Sequence, residues 1–565
     1  RTYRCSNDNK RIVYGYSCYD CDGYYIGQTA KDFDGIKWGN NCNELNAAYA
    51  ADGYARIKGV GALLTTFGVG ELSAINGVAG SFSEMVPVVH IVGTPATASQ
   101  AKGALLHHTL GNGDFRVFAK MYKEVTIAQA DLNKHNAAEE IDRVLKKCVI
   151  SVRPVYISLP VDLNTFELNI DSDQIKPLDL KIPLNPPEEH EAAITAILNV
   201  TEKAESIVVV VDACTLRHQV QKEVLKFVEH AQLPVYVTPM GKGGIDEHHP
   251  QFRGVYAGDC SYEQVAEEIH NADIIISVGS LNCDFNTGGF TFHLKQKKTI
   301  ELHSFATKVF YAVYDKVNMK QLLPDLTKRW PTERIKKYSM KPIVPPAAPP
   351  SDNNQEILHD YFWKKVPDFM PENSIIVAET GTSEFGIFNL KAPNGSVFLT
   401  QILWGSIGYS VGACLGAATG SKKEKRRVFL FVGDGSFQVV CQEVSSMLRS
   451  NVTPVIILLN NDGYTIEKLI HGPDRAYNSI QMWNYHKTFE YFGAGIKQNT
   501  EQASIGYTGQ VSTRKDFEKV MEQVRKEDDK IHFIEVIMPK LDAPTSLIQT
   551  IEGVNKNKKL QLNEE

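Results

Sequence analysis

The chain reads as an α/β protein of three open, mainly parallel α/β sheet domains, and two observations carry that prediction. Short Val/Ile-rich runs bounded by Gly or Pro alternate with longer segments of helical pattern through most of the 565 residues, the signature of stacked βαβ units around parallel sheets. The theme recurs in the first third, the middle and the last third, and a chain of this length holds about three domains of ordinary size.

The elements follow in order. A first domain, 1–180, has the strands GALLTTFG, VPVVHIVGT and RPVYISLP, although its opening residues 1–34 are atypical. A middle domain, 190–335, has SIVVVVDA, LPVYVTPMG, ADIIISVGS and KTIELHS. Residues 336–355 are a linker, because the Pro-rich KPIVPPAAPPSDNNQ, with Pro342 to Gln355 at its heart, sustains neither helix nor central strand. The last domain, 356–565, has SIIVAETG, RVFLFVGDG, PVIILLNND and HFIEVIMP, then the polar end NKNKKLQLNEE, read as a frayed tail.

Composition narrows the function classes. With 60 Lys+Arg against 66 Asp+Glu and a net charge of -6, the chain lacks the basic field that nucleic acid or an anionic membrane attracts. Apolar runs such as SIVVVVDAC and PVIILLN fall short of the roughly 20 residues that span a bilayer, and no charged-then-apolar leader opens the chain. A cytoplasmic protein is expected, with small molecules and copies of itself as partners. Its 10 cysteines are scattered, as free thiols in a reducing compartment would be.

The chemistry starts at FVGDGSF, Phe431 to Phe437. In a doubly wound sheet ligands lie off the carboxyl ends of strands, so Asp434 at the end of VFLFV faces a ligand position. Ser436 and Phe437 are expected to open a helix whose free N–H groups favour phosphate. A second apolar strand ends in Asn460-Asn461-Asp462-Gly463. One carboxylate, one amide oxygen and one backbone carbonyl form an oxygen-only half-shell suited to Mg²⁺, which a diphosphate can complete. Taken singly, GDG and NDG are ordinary turns; together at two strand ends they point to a site.

GDG, this spacer and the terminal NN resemble the signature of thiamine diphosphate enzymes. CNELNAAYAADGYARIKG (Cys42 to Gly59), TTFGVGELSAINGVAGSF, LLHHTLGNGDF, VTPMGKGGIDEHHP, AETGTSEFGI, ILWGSIGYSVGA and NNDGYTIEKLIHG resemble the fungal pyruvate decarboxylases, from about Gly35 to about Ile551. The resemblance implies pyrimidine-binding, middle and diphosphate-binding domains in that order. It also implies thiamine diphosphate and Mg²⁺ as cofactors, and a homo-oligomer, a dimer of dimers, whose sites draw on two domains.

The resemblance implies a role for each matching residue. Asp434, Asn461 and the carbonyl of Gly463 would be Mg²⁺ ligands. Glu44 would hydrogen-bond the aminopyrimidine; without the family it is a glutamate favoured by a helix N-terminus. Ile407 would be the apolar wedge that bends the cofactor, and the Gly405 carbonyl would hold its amino group. Thr382 and Ser406, Gly435 and Ser436, and Asp462 with Tyr464, Thr465 and Ile466 would complete the cofactor contacts. His107 and His108 match the proton-relay pair, and His108 and Glu467 would meet the substrate; unaided, Glu467 is a surface glutamate paired with Lys468. The implied reaction is non-oxidative decarboxylation of a 2-oxo acid, pyruvate to acetaldehyde and CO₂, through a ylide and an enamine. A decarboxylase of branched or aromatic 2-oxo acids shares every cofactor motif, and a thiamine-binding regulatory paralogue with little activity is the alternative from another class.

Several positions depart from the family. After VYGY, Val13 to Tyr16, comes Ser17-Cys18-Tyr19-Asp20 in place of the Pro-Gly-Asp loop; neither Asp20 nor Asp22 aligns with its aspartate, which predicts slow product release. Cys18-Tyr19-Asp20-Cys21 and Asp246-Glu247-His248-His249 are weak metal patterns. Cys214 matches the thiol implicated in substrate activation, but Met85 stands where yeast-type enzymes have a histidine. Glu384 replaces a pocket alanine; a carboxylate there repels an anionic acid unless it turns away or is protonated.

Overall fold

The computed structural model describes residues 11–13, 39–164, 167–169, 178–292, 294–331, 343, 355–496 and 501–553. The Ser17–Asp20 segment, Asp22, Cys18 and Cys21, nearly all of the Pro-rich linker and the polar end lie outside them.

Three sheets form, as the apolar runs require. In the first, Gly61–Thr66, Val88–Thr94, Val155–Pro160 and Ala128–Asp131 lie side by side in that order, all parallel. The second has seven strands; Thr299–Leu302, Ile274–Val278, Ile207–Val211, Val235–Val237 and Phe252–Val255 are parallel, and Ala306–Val309 and Ala312–Asp315 add an antiparallel flank. The third is wholly parallel, in the order Val397–Leu399, Ile375–Ala378, Val428–Gly433, Val455–Asn460, Ile531–Ile537, Ile505–Val511. Its central strands are buried on both faces, which is why they read as unbroken apolar runs. Residues Arg11–Val13, where the family-like VYGY begins, pair antiparallel with Glu167–Asn169 in a separate two-stranded piece.

The chain divides into two compact units: one of 1–182 with 411–424 and 440–452, the other of 183–410, 425–439 and 453–565. In the first, the core packs Val78, Val88 and Val92 against Ala48 and Tyr156. In the second, a larger core joins Phe362, Trp363, Phe431, Ile457 and Phe517 with Ala213 and Met240, so the seven- and six-stranded sheets share one unit.

Connectivity in the third sheet locates its ligand crevice. From Ile375–Ala378 the chain moves outward to Val397–Leu399, then returns to the other side with Val428–Gly433 and Val455–Asn460. The order reverses between Ile375–Ala378 and Val428–Gly433, and such a reversal opens a cleft at the strands' carboxyl ends. Glu379 and Asp434 are the next residues after those two strands.

Candidate active site

In the second unit, Asp434 is 1% exposed. Its Oδ1 accepts the Gly435 N–H at 2.8 Å and its Oδ2 the Gly463 N–H at 2.8 Å, so GDG and NDG are joined directly. Burial pushes the carboxyl up to about 6, against the pull of those two N–H groups. The helix here begins at Asp434 itself and not at Ser436 as expected.

Asn461 is buried in the same turn, and the Gly463 carbonyl accepts the Thr465 N–H at 3.0 Å, leaving one lone pair. Asp462 has φ 59; Lys540 meets its carboxylate at 2.9 Å, and the buried Lys468 ammonium bonds its carbonyl. Gly435 has no room for a side chain, since a Cβ would lie 2.5 Å from the Tyr464 ring. Among the described residues no group of three or more His, Cys, Asp or Glu could hold a metal ion. A cation beside Asp434 therefore has to draw on amide and carbonyl oxygens, and these residues fit a hard ion carrying a diphosphate.

The turn from Gly405 to Ser410 hangs from two buried side chains. Gln401 accepts the Ser406 N–H on its side-chain Oε1 at 2.9 Å, and its backbone carbonyl takes the Gly405 N–H at 2.7 Å. Glu379 accepts the Gly408 N–H at 3.1 Å, the Ser410 N–H at 3.3 Å and the Ser410 hydroxyl at 2.6 Å, with burial raising its carboxyl to about 7. Sequence reasoning missed Glu379, although SIIVAETG carries the signal that singled out Asp434, a carboxylate ending an apolar strand.

Thr382 opens the helix Thr382–Gly386, in which Glu384 is fully buried. Thr465 and Ile466 start the helix Thr465–His471, and the Thr465 hydroxyl donates to the Lys540 carbonyl. Glu467 is half-exposed and pairs with His471 at 3.3 Å; the expected Lys468 pairing does not form, because residues one apart on a helix diverge and those four apart align.

The first unit gathers the other candidates. Glu44 is the first residue of the helix Glu44–Lys58, behind Asn43, whose side chain accepts the Asn46 N–H. It is half-buried. Its Oε1 lies 3.3 Å from where a Gly70 Cβ would sit, while a Cβ on Gly68 would strike the His108 carbonyl at 1.9 Å. His107 and His108, both exposed, have ring centroids 4.7 Å apart, and Phe67 contacts both at 6.0 and 5.8 Å. The turn from Phe67 to Gly70 thus touches Glu44 on one side and the histidines on the other. Beneath it, Glu71 accepts the Gly68 N–H at 2.8 Å and the Tyr156 hydroxyl at 2.9 Å.

Other patterns separate. Glu247 takes the Lys242 ammonium at 2.5 Å, His248 lies 3.4 Å from Asp246, and His249 lies 3.4 Å from Glu229. Cys42, Cys148, Cys214, Cys260, Cys283, Cys414 and Cys441 are free thiols.

Comparison with known proteins agrees with this architecture. The thiamine pyrophosphate enzyme N-terminal TPP binding domain matches residues 4–114, the central domain 194–320 and the C-terminal TPP binding domain 379–536. Fold and domain matches define a thiamine pyrophosphate enzyme, with thiamine diphosphate and Mg²⁺ as its cofactor pair. The chain is 44% identical to a pyruvate decarboxylase of Aspergillus fumigatus over 93% of its own length and 91% of that protein's. It is also 44% identical to one from Candida glabrata, over 92% and 91%, and to isozyme 2 of Saccharomyces cerevisiae, over 91% and 91%. The chain belongs to the family of the fungal pyruvate decarboxylases, which makes it a carboxy-lyase.

Proposed function

We propose that the protein converts pyruvate to acetaldehyde and CO₂ without oxidation. The observation that carries this reading is the Asp434 carboxylate, buried at the switch point and hydrogen-bonded to Gly463, in a chain whose relatives are pyruvate decarboxylases. Asp434, Asn461 and the Gly463 carbonyl hold Mg²⁺, whose charge offsets the buried carboxylate's. Gly435, Ser436 and the Asp462–Ile466 segment cradle the diphosphate. Thr382, Gly405, Ser406 and Ile407 contact the rest of the cofactor, which when bound supplies the nucleophilic carbon and the electron sink.

Glu44 holds a proton against the aminopyrimidine. His107, His108 and Glu467 handle the substrate carboxylate and deliver the proton that ends the turnover. Domain limits at 1–180, 190–335 and 356–565, flanking the linker 336–355, fit the three sheets. Free thiols support a cytoplasmic place; among the described residues no helix is long and apolar enough to cross a membrane. The form in solution is a homo-oligomer, a dimer of dimers, to which the exposed side chains of Leu105 at 79% and Leu110 at 60% can contribute apolar contact.

The test is aldehyde release from pyruvate and from phenylpyruvate, with Mg²⁺ and thiamine diphosphate, coupled to NADH oxidation by an alcohol dehydrogenase. Faster turnover on pyruvate is expected. Preference for phenylpyruvate assigns a bulkier substrate, and cofactor binding without turnover on either assigns a regulatory role.

A further inference from the structure

Ile407 and Trp404 are 45% and 40% exposed, yet the backbone around them is fixed from below. Gln401 holds Gly405 and Ser406, and Glu379 holds Gly408 and Ser410. A solvent loop has no need of a fully buried carboxylate, whose desolvation is costly. Here that cost is offset by the Gly408 and Ser410 N–H groups and the Ser410 hydroxyl of the turn, with the Thr380 N–H beside them. The anchor is itself tied to the strand that leads into Asp434, because the Glu379 N–H donates to the Phe431 carbonyl at 2.9 Å.

We propose that Glu379 is a positioning residue, which fixes the 405–410 turn so that the Gly405 carbonyl and the Ile407 side chain are presented to the cofactor. It acts through the turn and not by contact with the reacting atoms. The proposal rests on the functional reading above. Glutamine at this position offers one acceptor oxygen where the carboxylate offers two, so the Gly408 N–H or the Ser410 pair loses its partner. Ser410→Ala removes the 2.6 Å hydroxyl bond alone.

The test uses the full-length protein with saturating Mg²⁺. Deuterium exchange at C2 of bound thiamine diphosphate is followed by NMR after acid quench, cofactor affinity by tryptophan fluorescence, and kcat and KM separately. Glu379→Gln is expected to slow exchange and kcat together by roughly 10- to 100-fold, as a misplaced reacting group does. KM for the 2-oxo acid should change by less than about threefold and the cofactor Kd should rise about tenfold, in line with one lost buried hydrogen bond. Ser410→Ala should slow exchange by a few-fold.

If Glu379→Gln does not fold, Ser410→Ala decides together with Ile407→Ala, which leaves Glu379 intact and must slow exchange as well. Folded, cofactor-bound variants that exchange at the wild-type rate overturn the proposal. A wild-type protein that exchanges no faster than free cofactor overturns the functional reading instead.

Discussion

At the scale of single residues, the first unit turns on Glu71. It is 1% exposed, burial pushes its carboxyl from 4.5 to about 7, and only the Gly68 N–H and the Tyr156 hydroxyl pull it back. Against it lie Tyr156 and Tyr122, whose hydroxyl donates to the Glu71 carbonyl, and behind both tyrosine rings is His90, which burial holds down at about 3, hence neutral. No cation balances the charge in this set. Between pH 4.5 and about 7 the folded chain holds a proton here that the unfolded chain has released, so raising the pH through that window destabilises the fold. The loss is at most on the order of 3 kcal/mol. Glu71→Gln removes this titration: thermal melts of the cofactor-free protein should show the variant gaining on wild type as pH rises from about 5 to 8. A difference that stays flat with pH would show that Glu71 is ionised throughout.

At the scale of elements, the turn before the helix Val69–Ser83 decides how the first unit presents its candidates. Gly68 has φ 65 and ψ -100, and a methyl group there meets the His108 carbonyl at 1.9 Å. Gly68→Ala should therefore cost roughly 3 kcal/mol or push the histidine segment away. The measurements are the thermal midpoint and kcat on pyruvate; we expect both to fall, kcat by more than about tenfold. Retention of both would show that the turn relaxes freely.

The same scale explains what pattern reading found and missed. Apolar runs such as Ile207–Val211 and Val428–Gly433 were legible because parallel strands covered on both faces must be apolar throughout. Ala128–Asp131, Phe252–Val255, Ala312–Asp315, Val397–Leu399 and Ile505–Val511, all at sheet edges where burial makes a weaker demand, were not, nor was Ala306–Val309 beside one of them. The edge strand Gly61–Thr66 was legible because it still buries alternate side chains.

At the scale of the whole molecule, activation by substrate is the open property. Cys214 is 1% exposed, in the short helix Ala213–Arg217, with its N–H on the Gly279 carbonyl. Met85, with φ 56, supplies a thioether where the resemblance to yeast-type enzymes implies an imidazole, and a thioether carries neither proton nor charge. Rate against pyruvate concentration should therefore be hyperbolic, with a Hill coefficient of about 1. Clear sigmoidicity would place the activation elsewhere, and a Met85→His variant would then leave the curve unchanged.

The sequence by itself determined the fold class and most strands of the sheet centres, because parallel strands buried on both faces accept very few residues. Tertiary structure decided which side chains act as hidden supports. Glu71 and Glu379 are ordinary glutamates in the sequence, and a carboxylate's role follows from the donors that surround it once water is gone. Those donors, Gly68 and Tyr156 for one and Gly408 and Ser410 for the other, include groups far away along the chain that only folding assembles.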